Sequence, residues 1–67
     1  MYKYDVYQVY RVLKDYNKHS NIIPQGTLLQ IKQYRNSLIA LIAEGKEGYY
    51  WINARDLLNK EYFQRVF

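Results

Sequence analysis

Two aromatic residues, Tyr49 and Trp51, stand two positions apart with Arg55 shortly after them, and Lys14 and Tyr16 form a similar grouping nearer the N-terminus. Rings that offer large area with few rotatable bonds, rimmed by cations, suit recognition of a protein or peptide, where Tyr, Trp and Arg carry much of the affinity. The same rings suit stacking on nucleic acid bases, with Lys14, Lys32, Lys46 and Arg55 meeting phosphates. Protein or peptide binding is the leading expectation, because Asp15, Glu44, Glu47 and Asp56 interrupt the bases and no basic run forms. Covalent and acid–base chemistry find less support. His19 is the only histidine and the chain has no cysteine, so neither a metal site nor a nucleophile–base pair can be assembled around it. Glu44 and Glu47 bracket a turn, and nothing beside them in sequence desolvates either as an acid–base pair requires. No Gly-rich phosphate loop and no Ser/His/Asp set is present, so the expectation is a non-catalytic chain with no cofactor and no metal.

These side chains must be positioned by strands. Between Tyr2 and Leu13 the residues are mainly β-branched or aromatic, which favours a strand, with residues 1–9 as an extended N-terminal strand or arm. A helical turn there, with Tyr7 and Tyr10 along one face, is the alternative. Asp15 to Asn21 is polar and reads as a loop. Ile23-Pro24-Gln25-Gly26 is a turn, because Pro24 biases Ile23 toward extended backbone and Gly26 accepts a positive φ. Thr27 to Gln33 then alternates, Leu29 and Ile31 on one side against Gln30 and Lys32 on the other. After a polar turn at Arg35-Asn36-Ser37, Leu38 to Ala43 is apolar on both faces, and Leu38, Ala40 and Ile42 are expected to point inward. Glu44 to Gly48 joins this strand to Tyr49–Ile52 as a hairpin. Asn53 caps a short helical turn over 54–57, and Tyr62 to Phe67 is a last strand. The expected core is Val12, Leu29, Ile31, Leu38, Ala40, Ile42, Tyr50, Ile52 and Leu57.

In this order the pieces resemble an all-β, five-stranded Src-homology-3-like barrel with a short 3₁₀ turn before the last strand, over about Val12 to Phe63. Val12-Leu13-Lys14-Asp15-Tyr16 is similar to that family's Ala-Leu-Tyr-Asp-Tyr signature, and Pro24 to Ile31 resembles its Lys-Lys-Gly-Asp turn and second strand. Gly45-Lys46-Glu47-Gly48 resembles its Gly-Arg-Glu-Gly hairpin, and Asn53-Ala54-Arg55 stands in the place of its 3₁₀ turn. The resemblance implies that Tyr50 and Ile52 enter the core while Tyr49 and Trp51 face outward near Tyr16. It does not extend to the proline-rich ligand groove of the signalling members. Lys14 replaces one of the paired aromatics, Leu38 or Ser37 stands where a tryptophan opens the third strand, and Trp51-Ile52-Asn53-Ala54 replaces the Pro-Ser-Asn-Tyr run.

Size and composition set the outer limits. A chain of 67 residues makes one domain, 1–67, and at about this size only about 60% of the unfolded chain's surface is buried. The nine tyrosines and the single tryptophan suit cores and interfaces alike. A net charge of +4 permits nucleic acid as a partner. The longest apolar run, Leu38 to Ala43, is far short of the about 20 residues of a membrane span, so no membrane partner is expected, and by default the compartment is the cytoplasm. The wealth of Lys, Asn, Ile and Tyr suits an A/T-rich coding sequence, and a free-standing domain of this size looks like the accessory proteins of bacteria, phages or mobile elements. Self-association through Tyr2 to Val9, as an exposed edge strand, is a third reading.

Overall fold

Glycine, asparagine and proline divide the chain into short β-branched and aromatic runs, and these runs pair as antiparallel strands. The computed structural model describes residues 7–18 and 21–67. The described residues form β1 (Val9–Val12), β2 (Tyr16–Lys18), β3 (Asn21–Ile23), β4 (Leu28–Arg35), β5 (Leu38–Ala43), β6 (Tyr50–Asn53), the helical turn α1 (Ala54–Leu57) and β7 (Phe63–Arg65). Five of the strands make one sheet in the order β6-β5-β4-β1-β7, and β2 and β3 make a separate ribbon. The sheet is antiparallel and curls into a half-barrel. Residues 1–6, which include most of the expected N-terminal arm and adhesive segment, and His19 lie outside the described residues. No helix among the described residues is long and apolar enough to cross a membrane.

Each turn has a local cause. Gly26 takes φ +90, and the turn closes through Thr27 N donating to the Pro24 carbonyl at 3.2 Å while the Thr27 hydroxyl donates to the same oxygen at 2.7 Å. The turn therefore begins at Pro24, one residue later than expected. Asp15 Oδ1 accepts from Gln25 N at 2.7 Å, and Gly26 N donates to the Val12 carbonyl at 2.7 Å, which ties this turn to the end of β1. Asn36 takes φ 57 in the two-residue link between Arg35 and Leu38, a conformation that asparagine tolerates better than most residues. Asn53 caps α1 with its side-chain oxygen on Arg55 N at 2.9 Å. The expected 3₁₀ turn is a single α-helical turn, followed by Leu58 N donating to the Arg55 carbonyl at 3.3 Å and Asn59 N to the Asp56 carbonyl at 3.0 Å.

Two expectations are corrected. Asp15 to Asn21 is not simply a polar loop, because Tyr16 pairs with Ile23, Asn17 with Ile22 and Lys18 with Asn21. Tyr16 and Ile23 are both buried at the base of the ribbon, so two apolar anchors hold an otherwise polar hairpin. The phase of β5 is also reversed. Ile39 and Leu41 are buried, Leu38 is 41% exposed and Ile42 is half-buried. The register shifts between Ile31 and Gln33, leaving Lys32 as the extra residue of a bulge, and the Asn36-Ser37 link then pairs Ile39 with Tyr34 and Leu41 with Ile31. Ala40 remains buried although it opposes Gln33 and Trp51 on the other phase. Of the remaining expected core, Val12, Leu29, Ile31, Ile52 and Leu57 are buried, and Tyr50 packs partly against them. Tyr10, Tyr16, Ile23, Ala54 and Phe63 complete it.

This phase sets an energetic contrast between neighbours. Ile39→Ala is expected to cost about 2–5 kcal/mol through lost transfer energy and the cavity left behind, and Leu38→Ala less, about 1 kcal/mol, because 41% of its surface is already exposed and less apolar area is lost. Urea unfolding of both variants measures the difference, and a larger loss for Leu38→Ala would reverse the assignment of the inward face.

Candidate binding groove

Tyr16 is the centre of the site. It opens β2, its ring is buried, and it packs against Phe63 at 5.2 Å and edge-on against Tyr62 at 5.9 Å between ring centroids. Its hydroxyl donates to Asp56 Oδ2 at 2.8 Å. Asp56 is in place because the Asn53 cap starts α1 directly after β6. Lys18, at the end of β2, brings Nζ to 3.4 Å from the same carboxylate oxygen. These groups wall a depression of about 280 Å³ lined by Tyr16, Asn17, Lys18, Asp56, Asn59 and Tyr62.

A second depression, of about 260 Å³, shares Tyr16 as a wall and is lined also by Asn21, Leu38, Trp51, Ile52 and Asn53. The Asn21 side chain donates to the Trp51 carbonyl at 3.0 Å, joining β3 to the free edge of β6. On β6 Ile52 is buried and Tyr50 packs against the core, whereas Trp51 alternates to the opposite side. Tyr49 is 46% exposed and meets the Trp51 ring edge-on at 6.0 Å.

The structure thus brings Tyr16, Trp51 and Tyr49 together, with Tyr16 presenting only a small part of a buried ring. Lys14 and Arg55 do not line either depression. Lys14 forms an ion pair with Glu61 and lies 5.7 Å from the centre of the Tyr62 ring. Arg55 is exposed on α1. The other lysines considered for phosphate contact are dispersed, Lys32 over the Tyr7 ring at 4.9 Å and Lys46 over the Tyr50 ring at 4.6 Å. Sequence reasoning missed Lys18, Asp56, Asn21, Asn59 and Tyr62 as wall residues. Asp56 and Lys18 come from segments with no shared pattern, and only the Asn53 cap signalled that a side chain two or three positions on would be held in a fixed place.

Electrostatics follow from these contacts. Burial pushes the Tyr16 hydroxyl well above the usual tyrosine value of 10.0, and the bond to Asp56 and the carboxylate's charge push it further. Tyr10 is raised by burial, partly offset by Arg65. Lys14 is raised, and Glu61 lowered, by the hydrogen bond and charge that each supplies to the other. Compared with family models, curated proteins and solved structures, the chain shows no significant match to any.

The Tyr16 proton is held more tightly in the folded chain than in the unfolded one, so its contribution to stability is fully present below about pH 10 and is lost as pH rises through the folded value. Tyr16→Phe is expected to lower stability at pH 7 by about 1.5–3 kcal/mol, the range for a hydrogen bond to a charged group, and to make the alkaline decline shallower. Tyr10 and Lys14, raised in the same sense, keep part of that decline. Urea midpoints for both proteins between neutral pH and about pH 11 test this against the usual tyrosine value, and equal alkaline slopes would contradict the coupling.

Proposed function

We propose that the chain is a non-catalytic protein- or peptide-binding module on a Src-homology-3-like barrel, and that it takes an extended peptide segment across the two depressions that meet at Tyr16. The barrel reading is supported by the sheet order β6-β5-β4-β1-β7, by the β2–β3 ribbon between β1 and β4, and by the helical turn before β7. The observation that carries the functional reading is that one buried ring is the shared wall of an apolar and a polar depression. Trp51 and Leu38 offer surface to an aliphatic or aromatic side chain, with Tyr49 beside them. Asp56, Lys18, Asn17 and Asn59 offer donors and acceptors to a peptide backbone or a polar side chain.

Arrangement favours a peptide over a metabolite. The depressions of about 280 and 260 Å³ are open, share Tyr16 as a wall and fit successive side chains, whereas a small-molecule site usually buries most of its ligand in one cleft. Nucleic acid is the weaker reading, because Lys14, Lys32 and Lys46 lie against three different rings on separate elements and Lys18 is joined to Asp56. A phosphate backbone calls for cations along one track.

Selection from a random peptide library on the immobilised protein, followed by calorimetry and by fluorescence of Trp51, tests the proposal. Selected peptides are expected to bind with weak salt dependence and to shift the Trp51 emission. Trp51→Ala, with its unfolding transition intact, is expected to lose at least ~10-fold in affinity, as a hot-spot ring does. Absence of selectable peptides, together with retention of mixed single-stranded DNA or RNA that collapses as salt rises, would replace this reading with the nucleic-acid one.

A further inference from the structure

The sheet face turned away from the core carries an apolar surface that the groove does not use. Val9, Gln30 and Ile42 lie side by side across β1, β4 and β5, and Arg11 and Leu28 are paired in the next row. The intervening pair, Tyr10 and Leu29, is buried, so strand alternation turns Val9, Arg11, Leu28 and Gln30 outward. Val9, Leu28, Gln30, Ile42, Ala43 and Glu44 line a shallow depression of about 350 Å³ in the middle of the sheet. Leu28 is 51% exposed there. None of these residues lines either depression of the groove.

The charges on this face have a particular arrangement. Arg11 pairs with Leu28 from the β1 side, and Glu44 follows directly on β5 on the other side of β4. Both are exposed, and among the described residues neither takes part in an ion pair. An apolar centre with a base on one flank and an acid on the other is complementary to itself. A two-fold axis parallel to β4, lying between the two faces above Leu28, brings Arg11 of one copy over Glu44 of the other, twice, while Leu28 closes on its counterpart and Val9 on Ile42.

We propose that this face is the surface through which two copies of the chain associate as a two-fold dimer. The patch is small beside the about 800 Å² per partner of a standard interface, so the dimer is weak and forms at high concentration or when a partner holds two copies together. Because the groove shares no residue with this face, the dimer carries two grooves and binds a repeated peptide with avidity.

Sedimentation equilibrium of the whole chain at low salt, from micromolar to millimolar concentration, tests the proposal. A monomer–dimer equilibrium is expected, and Leu28→Ser, Arg11→Glu and Glu44→Arg are each expected to weaken it by at least ~10-fold, the single reversals by setting like charges opposite one another. The exchanged variant Arg11→Glu/Glu44→Arg is expected to recover it, which a merely structural effect of either residue would not do. Trp51→Ala is expected to leave the dimer unchanged, so the outcome is independent of the groove. Monomer throughout, or a dimer indifferent to the single reversals or not recovered by the exchange, would overturn the proposal.

Discussion

The bond from the Tyr16 hydroxyl to the Asp56 carboxylate joins segments 40 positions apart, and much of the groove depends on it. A two-stranded ribbon of three residues a side has little stability of its own. Tyr16 and Ile23 hold its base in the core, but burial alone is non-directional and does not fix how the ribbon leans. The hydroxyl does, because a buried donor must find its acceptor and α1 offers one at a single place. Asn21 adds a second directional tie through the Trp51 carbonyl. The ribbon is thereby held against α1 on one side and β6 on the other, and the two depressions are the spaces left between those ties.

Much of this frame was legible in the residues. The Glu44 to Gly48 connection, the Asn53 cap and the alternation of Leu29 and Ile31 each rest on a local rule, and each is found where that rule places it. The β5 phase was not legible, because six consecutive apolar residues satisfy either face equally well. What decides it is a bulge at Lys32 on the partner strand, and a bulge leaves no mark in an alternating pattern. The ribbon was hidden for the opposite reason. Asn17, Lys18 and Asn21 have loop chemistry, and they enter strands only because Tyr16 and Ile23 on either side are pulled into the core. Of the site, the Trp51 and Tyr49 pair was visible as spacing, whereas Lys18 and Asp56 meet through the tertiary fold alone.

The tyrosines are divided between tasks that composition could not separate. Tyr10 and Tyr16 are buried and satisfy their hydroxyls, Tyr10 on Gln8 Oε1 at 3.3 Å and Tyr16 on Asp56. Tyr7, Tyr50 and Tyr62 each have a lysine against the ring. An ammonium over a ring keeps most of its hydration and gains a modest attraction, so these lysines shield partly exposed aromatic surface while leaving the charge in water. The same placement scatters the positive charge over several elements. A net charge of +4 therefore says less about a polyanionic partner than it would if the lysines shared one face.

A chain this short cannot cover all its apolar side chains, and single exposed ones such as Ile22 and Leu58 are ordinary for its size. Meaning attaches where exposed apolar residues adjoin a concavity and polar groups of fixed position. Leu38 satisfies this beside Trp51 and Asn21, where the ribbon's directional ties fix the walls. Leu28 satisfies it between Arg11 and Glu44, where the sheet register fixes them. The two surfaces thus differ in origin. One depends on contacts between distant segments and yields if Tyr16 lets go, while the other is built into neighbouring strands of the sheet and persists as long as β1, β4 and β5 stay paired.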